Sequence, residues 1–339
     1  MVKCSECWAK AKWHKNYSLT EKPMHRLVNQ MKLISCIGFF MLLIQSCAGP
    51  TEQTIDLVRV KLEKHTVMSN GHPLALWSKV NPNAKEAILF VHGRTWSALP
   101  DFDLQVEGED LSLMDGLVAQ GYAVYAIDGR GYGETPRDST GWFTPDKAAN
   151  DVASALTWIN EQEKWTKKPH LFGWSMGSTM SQLTAQRHPE LISSLTLFGY
   201  WYDADMKFPV NQNEELQKIV NTAESAASDF IIPGSISQNA IDAYVEAALK
   251  ADPIKADLGR YDQFNELDPS KVNVPTLILQ GEFDPIGPTE IQSKLFTRLG
   301  TAHKQWTVIP GGDHAAFMET PRDYFIYALV NFLQGTTIH

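Results

Sequence analysis

His170-Leu171-Phe172-Gly173-Trp174-Ser175-Met176-Gly177 carries more structural information than any other stretch of this chain. A short apolar run stops at a Gly-x-Ser-x-Gly pattern, and from Met176 to Arg187 the residues have helical spacing. A strand that turns at once into a helix needs small residues on both sides of the turn. That turn lifts the Ser175 hydroxyl clear of the backbone at the helix amino terminus. The pattern alone is only moderately specific, and an ordinary glycine-rich turn is the competing reading, so the flanking sequence has to decide.

Working outward, Ala87–Val91 and Tyr122–Ile127 are unbroken apolar runs upstream, and Leu195–Phe198, Thr276–Leu279 and Trp306–Ile309 follow downstream. Unbroken runs imply burial on both faces, as in a parallel sheet. Helical spacing separates them at Leu111–Gln120, Asp146–Glu163, Glu290–Leu299 and Tyr324–Leu333. Ile55–Leu62 and Leu74–Val80 alternate and predict a leading hairpin. The expectation is an α/β domain over residues 55–339, with a mostly parallel, doubly wound, eight-stranded sheet. Between about 202 and 268 the strand rhythm stops. Helices are predicted there at Glu214–Ala226 and Ile241–Lys250, and the stretch is too long for a loop, so it reads as a helical cap insertion.

The 339 residues are 43% hydrophobic and 20% charged, a folded globular composition. Net charge is −9, and residues 1–30 hold six Lys and Arg against two Glu, which leaves an acidic body. Without a basic stripe, a nucleic-acid partner is not expected. All four cysteines (Cys4, Cys7, Cys36, Cys47) fall in the first 47 residues, so the body has no thiol nucleophile or thiolate metal site. Cys4 and Cys7 have the spacing of half a zinc knuckle but no second pair follows, and no metal is expected.

Lys32 precedes a twelve-residue apolar core, Leu33–Ile44, which falls short of the ~20 residues needed to span a bilayer. With Ile44, Ser46 and Cys47 after it, the segment resembles a bacterial lipoprotein signal; Gln45 departs from the small residue usual at that place. The resemblance implies cleavage after residue 46, lipidation of Cys47, a linker over 47–54 and a membrane partner through the anchor. Met31 opens a self-sufficient signal and is an alternative start. Ala48 implies the outer membrane, facing the periplasm. An uncleaved anchor or a buried core helix is the bland alternative.

Further motifs join Gly173–Gly177: His92-Gly93-Arg94, Asp128-Gly129-Arg130-Gly131-Tyr132-Gly133-Glu134-Thr135, Gly281-Glu282-Phe283-Asp284 and Gly311-Gly312-Asp313-His314. In this order the chain resembles the α/β-hydrolase superfamily across nearly all of 55–339. The resemblance implies a serine hydrolase without a cofactor. A serine hydroxyl needs a base within reach, and a histidine suits that role. His314 would take the Ser175 proton, and Asp284 would orient the imidazole. The backbone N–H groups of Arg94 and Met176 are the expected oxyanion donors.

Other residues have plainer readings. His92 is expected to bond locally, Asp128 to cap its turn, and His170, His188 and His303 to lie on the surface or in loops. Asp313 is a weaker alternative acid. Trp96, Trp174, Tyr200 and Trp201 are candidates for the substrate pocket, which favours an apolar or aromatic acyl ester as the small-molecule substrate. The Arg94 side chain either orients a substrate carboxylate or points to solvent. Four functions compete: ester hydrolysis first, then amide or peptide hydrolysis as in proline iminopeptidases, acyl transfer, and ligand binding on an inactive scaffold. Oligomeric state is not legible.

Overall fold

The Asn70-Gly71 dipeptide has both residues at positive φ, 50° and 78°, the conformation of a tight two-residue hairpin turn. It joins β1 (Glu63–Ser69) to β2 (His72–Val80) in antiparallel register, with Ser69 opposite His72. Among the described residues the leading strand is therefore 63–69, and residues 60–62 of the expected 55–62 are not in it; the rest of that expected strand lies outside the described residues. The computed structural model describes residues 60–162, 165–211 and 215–336. The signal segment, Cys47 and the linker lie outside them.

Six more strands complete the sheet: β3 (Ala87–Val91), β4 (Ala123–Ile127), β5 (His170–Trp174), β6 (Ser194–Phe198), β7 (Thr276–Gly281) and β8 (Lys304–Ile309). Their spatial order is β1-β2-β4-β3-β5-β6-β7-β8, with β2 antiparallel to β4 and every later pair parallel. Side chains alternate between two apolar layers. Along β3, Ala87, Leu89 and Val91 enter one layer and Ile88 and Phe90 the other. This two-sided burial is why the run is apolar without a break.

Helices α1 (Ala98–Phe102), α2 (Leu113–Ala119) and α8 (Arg322–Gly335) pack into one layer. Helices α3 (Pro145–Asn160), α4 (Met176–Arg187) and α7 (Thr289–Arg298) pack into the other. Helix α3 begins where its sequence says it should: Thr144 accepts from the Lys147 amide, and Pro145 occupies the first turn. The fold is the expected doubly wound, mostly parallel eight-stranded sheet.

The insertion departs from its reading. Helix α6 (Gln238–Ala251) covers the second predicted helix, but of the first, predicted over 214–226, the described residues from 215 onward form only the five-residue α5 (Ala223–Ala227). The reason is competition for backbone donors. The Gln217 and Lys218 amides go to the Asp257 carboxylate, Val220 bridges to Ile254, and Thr222 accepts from Ser225 as a new N-cap. Trp142–Phe143 and Asp257–Leu258 form a short parallel pair beside it. At the base, Asn265 clasps Phe208: the Phe208 amide donates to Oδ1 at 2.8 Å, and Nδ2 donates to the Phe208 carbonyl at 2.8 Å.

Candidate active site

Ser175 lies between the last residue of β5 and the first of α4, at φ 53° and ψ −119°. A non-glycine residue held there costs on the order of 1–3 kcal/mol and persists only where its surroundings enforce it. They do so here. The Ser175 amide donates to the Phe198 carbonyl at 2.9 Å, and α4 presses against the end of β3 so closely that a Cβ on Gly177 would collide with the Val91 and His92 carbonyl oxygens.

Asp284 and His314 come from the loops after β7 and β8, which are tied together. Phe283 N–H donates to Gly312 at 2.9 Å, and Gly311 N–H donates to the Glu282 carboxylate at 2.9 Å. The result is a His314 Nδ1 to Asp284 Oδ2 contact of 2.9 Å. The other Asp284 oxygen accepts from the Ile286 and Gly287 amides, at 2.8 and 3.0 Å. Burial works against the Asp284 charge, but the His314 hydrogen bond and these amides outweigh it and hold the carboxyl below its ordinary range. With Nδ1 engaged, Nε2 is buried and has no hydrogen-bond partner among the described residues.

Two contacts bring this pair to the Ser175 turn. Trp174 Nε1 donates to the His314 carbonyl at 2.7 Å. Gly199, the residue after the carbonyl that holds Ser175, has φ 60°, and a Cβ there would sit 2.7 Å from the imidazole. The imidazole is thus packed on the chain that fixes Ser175. Trp174 and Phe198 face it, and Phe317 packs against both of those rings.

The residues given plainer readings have structural work. His92 Nε2 accepts from the Gly129 amide at 3.0 Å, so Nδ1 carries the proton it gives to the Gly93 carbonyl. Burial pushes this histidine down to about 4, which keeps it neutral. Asp128 accepts from Trp77 Nε1 and the Glu134 and Ala98 amides. Arg130 forms a bidentate pair with Asp151, 2.7 Å at each contact. Asp313 is taken up by the Ile231, Ile232 and Ala315 amides, which pins the insertion to the histidine loop. His170 is a correction: it is buried in β5 and bonds Ser194 and Glu86 instead of lying on the surface.

The proposed pocket aromatics sit deeper than their sequence position suggests. Trp96, Trp174 and Tyr200 are buried. Trp96 donates to Asp229 at 2.9 Å, and the Tyr200 carbonyl accepts from Gln292. Trp201 is partly buried against Tyr202, Phe208 and Phe264. The Arg94 side chain is exposed and donates to the Tyr261 hydroxyl at 2.8 Å. Met176, as the first residue of α4, presents an amide with no carbonyl one turn earlier in its helix.

A group of acids that sequence reading missed holds the turn between β3 and α1. Asp252 accepts from the Ser97 amide at 2.8 Å and the Gly133 amide at 2.8 Å. Asp229 accepts from Trp96, and the Tyr244 hydroxyl lies 3.0 Å from Asp101 and 3.2 Å from Asp229. A hydroxyl has one hydrogen, so it can donate to only one of them; the other contact uses a carboxyl's own proton. Burial pushes Asp229 up to about 6, and burial with the neighbouring Asp229 charge pushes Asp101 well above its usual range. Nothing in the sequence relates these residues. Among the described residues no cluster of His, Cys, Asp and Glu could hold a metal ion.

Residues 82–321 match the family described as serine aminopeptidase, S33. The chain belongs to that family. It has the α/β-hydrolase fold, and it spans about half the length of the first of the two relatives that follow. It is 27% identical over 186 residues to an ethanol acetyltransferase of Eremothecium cymbalariae, covering 54% of this chain and 45% of that protein. It is 26% identical over 228 residues to the 2-hydroxy-6-oxo-6-(2'-aminophenyl)hexa-2,4-dienoic acid hydrolase of Metapseudomonas resinovorans, covering 64% of this chain and 76% of that protein. The crystal structure of Paleococcus ferrophilus monoacylglycerol lipase superposes with a TM-score of 0.56 at 23% identity, over 78% of this S33-family chain and 99% of the lipase. That last likeness concerns the fold.

Proposed function

We propose that the protein is a serine hydrolase that cleaves a carboxylic ester through an acyl-enzyme. The observation that carries this reading is the strained Ser175 turn packed beside an Asp284–His314 pair whose Nε2 has no hydrogen-bond partner among the described residues. His314 Nε2 takes the Ser175 proton as Oγ attacks the carbonyl carbon, and returns it to the leaving alcohol as the C–O bond breaks. Asp284 keeps the proton on Nδ1 and stabilises the imidazolium. The Met176 and Arg94 amides receive the oxyanion. Water, activated by His314 in turn, releases the acid.

An apolar or aromatic acyl group is supported by the rings of Trp174 and Phe198 beside His314, with Phe317 packed against both. Two alternatives have specific support: the family description favours amide or peptide cleavage, and the acetyltransferase likeness favours an alcohol in place of water. Fluorophosphonate labelling with mass mapping tests the nucleophile, and Ser175 is the expected site. Parallel rates on p-nitrophenyl acyl esters and aminoacyl arylamides then rank ester against amide, and added ethanol reads acyl transfer. A label on another residue, or none, would end the proposal.

For location, the reading is a lipoprotein anchored through Cys47 to the outer membrane and facing the periplasm. Acyl chains contribute about 0.8 kcal/mol per buried methylene, enough for several chains to hold the protein without a spanning helix. In a Gram-negative host, wild-type protein should stay with membranes through high-salt washing and Cys47→Ser should not. Wild-type protein in the soluble fraction with an unmodified amino terminus would overturn the anchor and leave the chemistry untouched.

A further inference from the structure

Between the turn after β3 and the insertion lies a cavity of about 410 Å³. Arg94 forms one part of its wall and Lys255 another, with Trp142, Ile219 and Leu258 between polar residues. Arg94 connects this wall to the Ser175 turn through the chain: it follows Gly93, where a Cβ would lie 3.1 Å from the Ser175 Cβ.

The charges in this wall are unevenly satisfied. Asp257 is fully engaged, with one oxygen 2.7 Å from Arg137 and the other accepting the Gln217 and Lys218 amides. Arg94 has a neutral partner, the Tyr261 hydroxyl, and no ion pair among the described residues. The Lys255 side chain makes no hydrogen bond or ion pair among them. Burial first, and then the Arg94 charge, push the Lys255 ammonium below the ordinary lysine range, against the pull of Asp229. Two cations that disfavour each other across one cavity are both relieved by an anion placed between them.

We infer that Arg94 and Lys255 form a subsite for a carboxylate carried by the substrate, so that the bond cleaved at Ser175 belongs to an ester of an acid-bearing, otherwise apolar molecule. A guanidinium presents a planar fork that matches a carboxylate, and the ammonium adds a point charge beside it. Glu215, also in the wall, disfavours a dianion such as a phosphate monoester. The inference rests on the reading of Ser175 as the nucleophile, since it assigns the second functional group of that enzyme's substrate.

The test separates the two claims by measuring binding without turnover. Monomethyl suberate and dimethyl suberate differ by one negative charge, and each is titrated by calorimetry into the full-chain Ser175→Ala protein in detergent at neutral pH. The monoacid should bind about tenfold more tightly, a ratio typical of one charge-assisted contact. Adding Lys255→Met should bring the ratio close to one, and Lys255→Arg should keep most of it. Equal binding of the two esters, a ratio that survives Lys255→Met, or butyl phosphate binding more tightly than the monoacid would each overturn the subsite. Circular dichroism of each variant confirms that the fold is retained. If wild-type protein hydrolyses no ester while the monoacid preference and its loss in Lys255→Met are observed, the hydrolase reading fails and the subsite stands.

Discussion

Asp284, behind His314, and Asp229, in the insertion, are both carboxylates withdrawn from water, and their surroundings treat them in opposite ways. Asp284 is met by three N–H donors and is held ionised below its ordinary range. Asp229 accepts from the Trp96 indole and competes with a second acid, Asp101, for the single hydrogen of the Tyr244 hydroxyl, and it is pushed up to about 6. Burial raises both; the count of available hydrogens decides which one keeps its charge. One arrangement is suited to orienting a histidine, and the other latches the insertion to the turn that bears Arg94.

The largest effect should come from removing the ionised side of this contrast. Ser175→Ala or Asp284→Asn should lower kcat by roughly 10⁴-fold in a folded protein. The double variant Ser175→Ala/His314→Ala should be hardly slower than either single one, because these groups act as a unit. Additive losses in steady-state rates would refute the shared mechanism. Next in size is Gly199→Ala. Its Cβ would press on the imidazole at a positive φ, and displacement of His314 should cost on the order of 10²-fold in kcat/KM. An unchanged rate would show that the ring does not need its present seat.

The neutral side predicts a pH dependence of stability with the opposite sign. Asp229 ordinarily titrates near 3.8 and does so at about 6 here. Its contribution is therefore complete below 3.8 and lost as pH rises towards 6, whereas that of Asp284 is lost as pH falls. Asp229→Asn should gain on wild type by on the order of 1–3 kcal/mol between pH 4 and 7, read from urea unfolding. Parallel curves would show that no proton is shared. Tyr244→Phe should destabilise by about 1–3 kcal/mol through stranded carboxyls. The smallest effect belongs to the exposed Lys64–Glu134 pair at 3.2 Å, where Glu134→Gln should shift stability by under about 0.5 kcal/mol.

What the sequence disclosed follows the distance over which its signals act. Ala87–Val91 and Met176–Arg187 were legible to the residue because two-sided burial and helical spacing are written locally. The first strand was misplaced because Glu63–Ser69 is a largely exposed edge whose polar residues mask its period, although Asn70-Gly71 marked the turn. The absent helix near 214–226 depended on an Asp257 carboxylate about forty residues away. Asp284 and His314 were singled out through family order, and the fold brings their side chains together. Asp101, Asp229, Asp252, Tyr244 and Lys255 gave no local sign, since their meaning arises only when the insertion meets the core.

The Phe208–Asn265 clasp has a consequence for how such a chain could change. With its two ends tied at one point, the segment between them is a closed loop, and the entropy of closing a flexible loop grows only with the logarithm of its length. Doubling it would cost roughly 0.6 kcal/mol. The sheet is therefore nearly indifferent to how many residues hang from that knot. What the core does require are acceptors for the Ser97 and Gly133 amides and the Trp96 indole, supplied now by Asp252 and Asp229, together with the Tyr244 hydroxyl for Asp101 and the Ile231 and Ile232 amides for Asp313. A transplanted segment that kept all of these groups in place could change its length elsewhere, and the α/β domain beneath it would still fold.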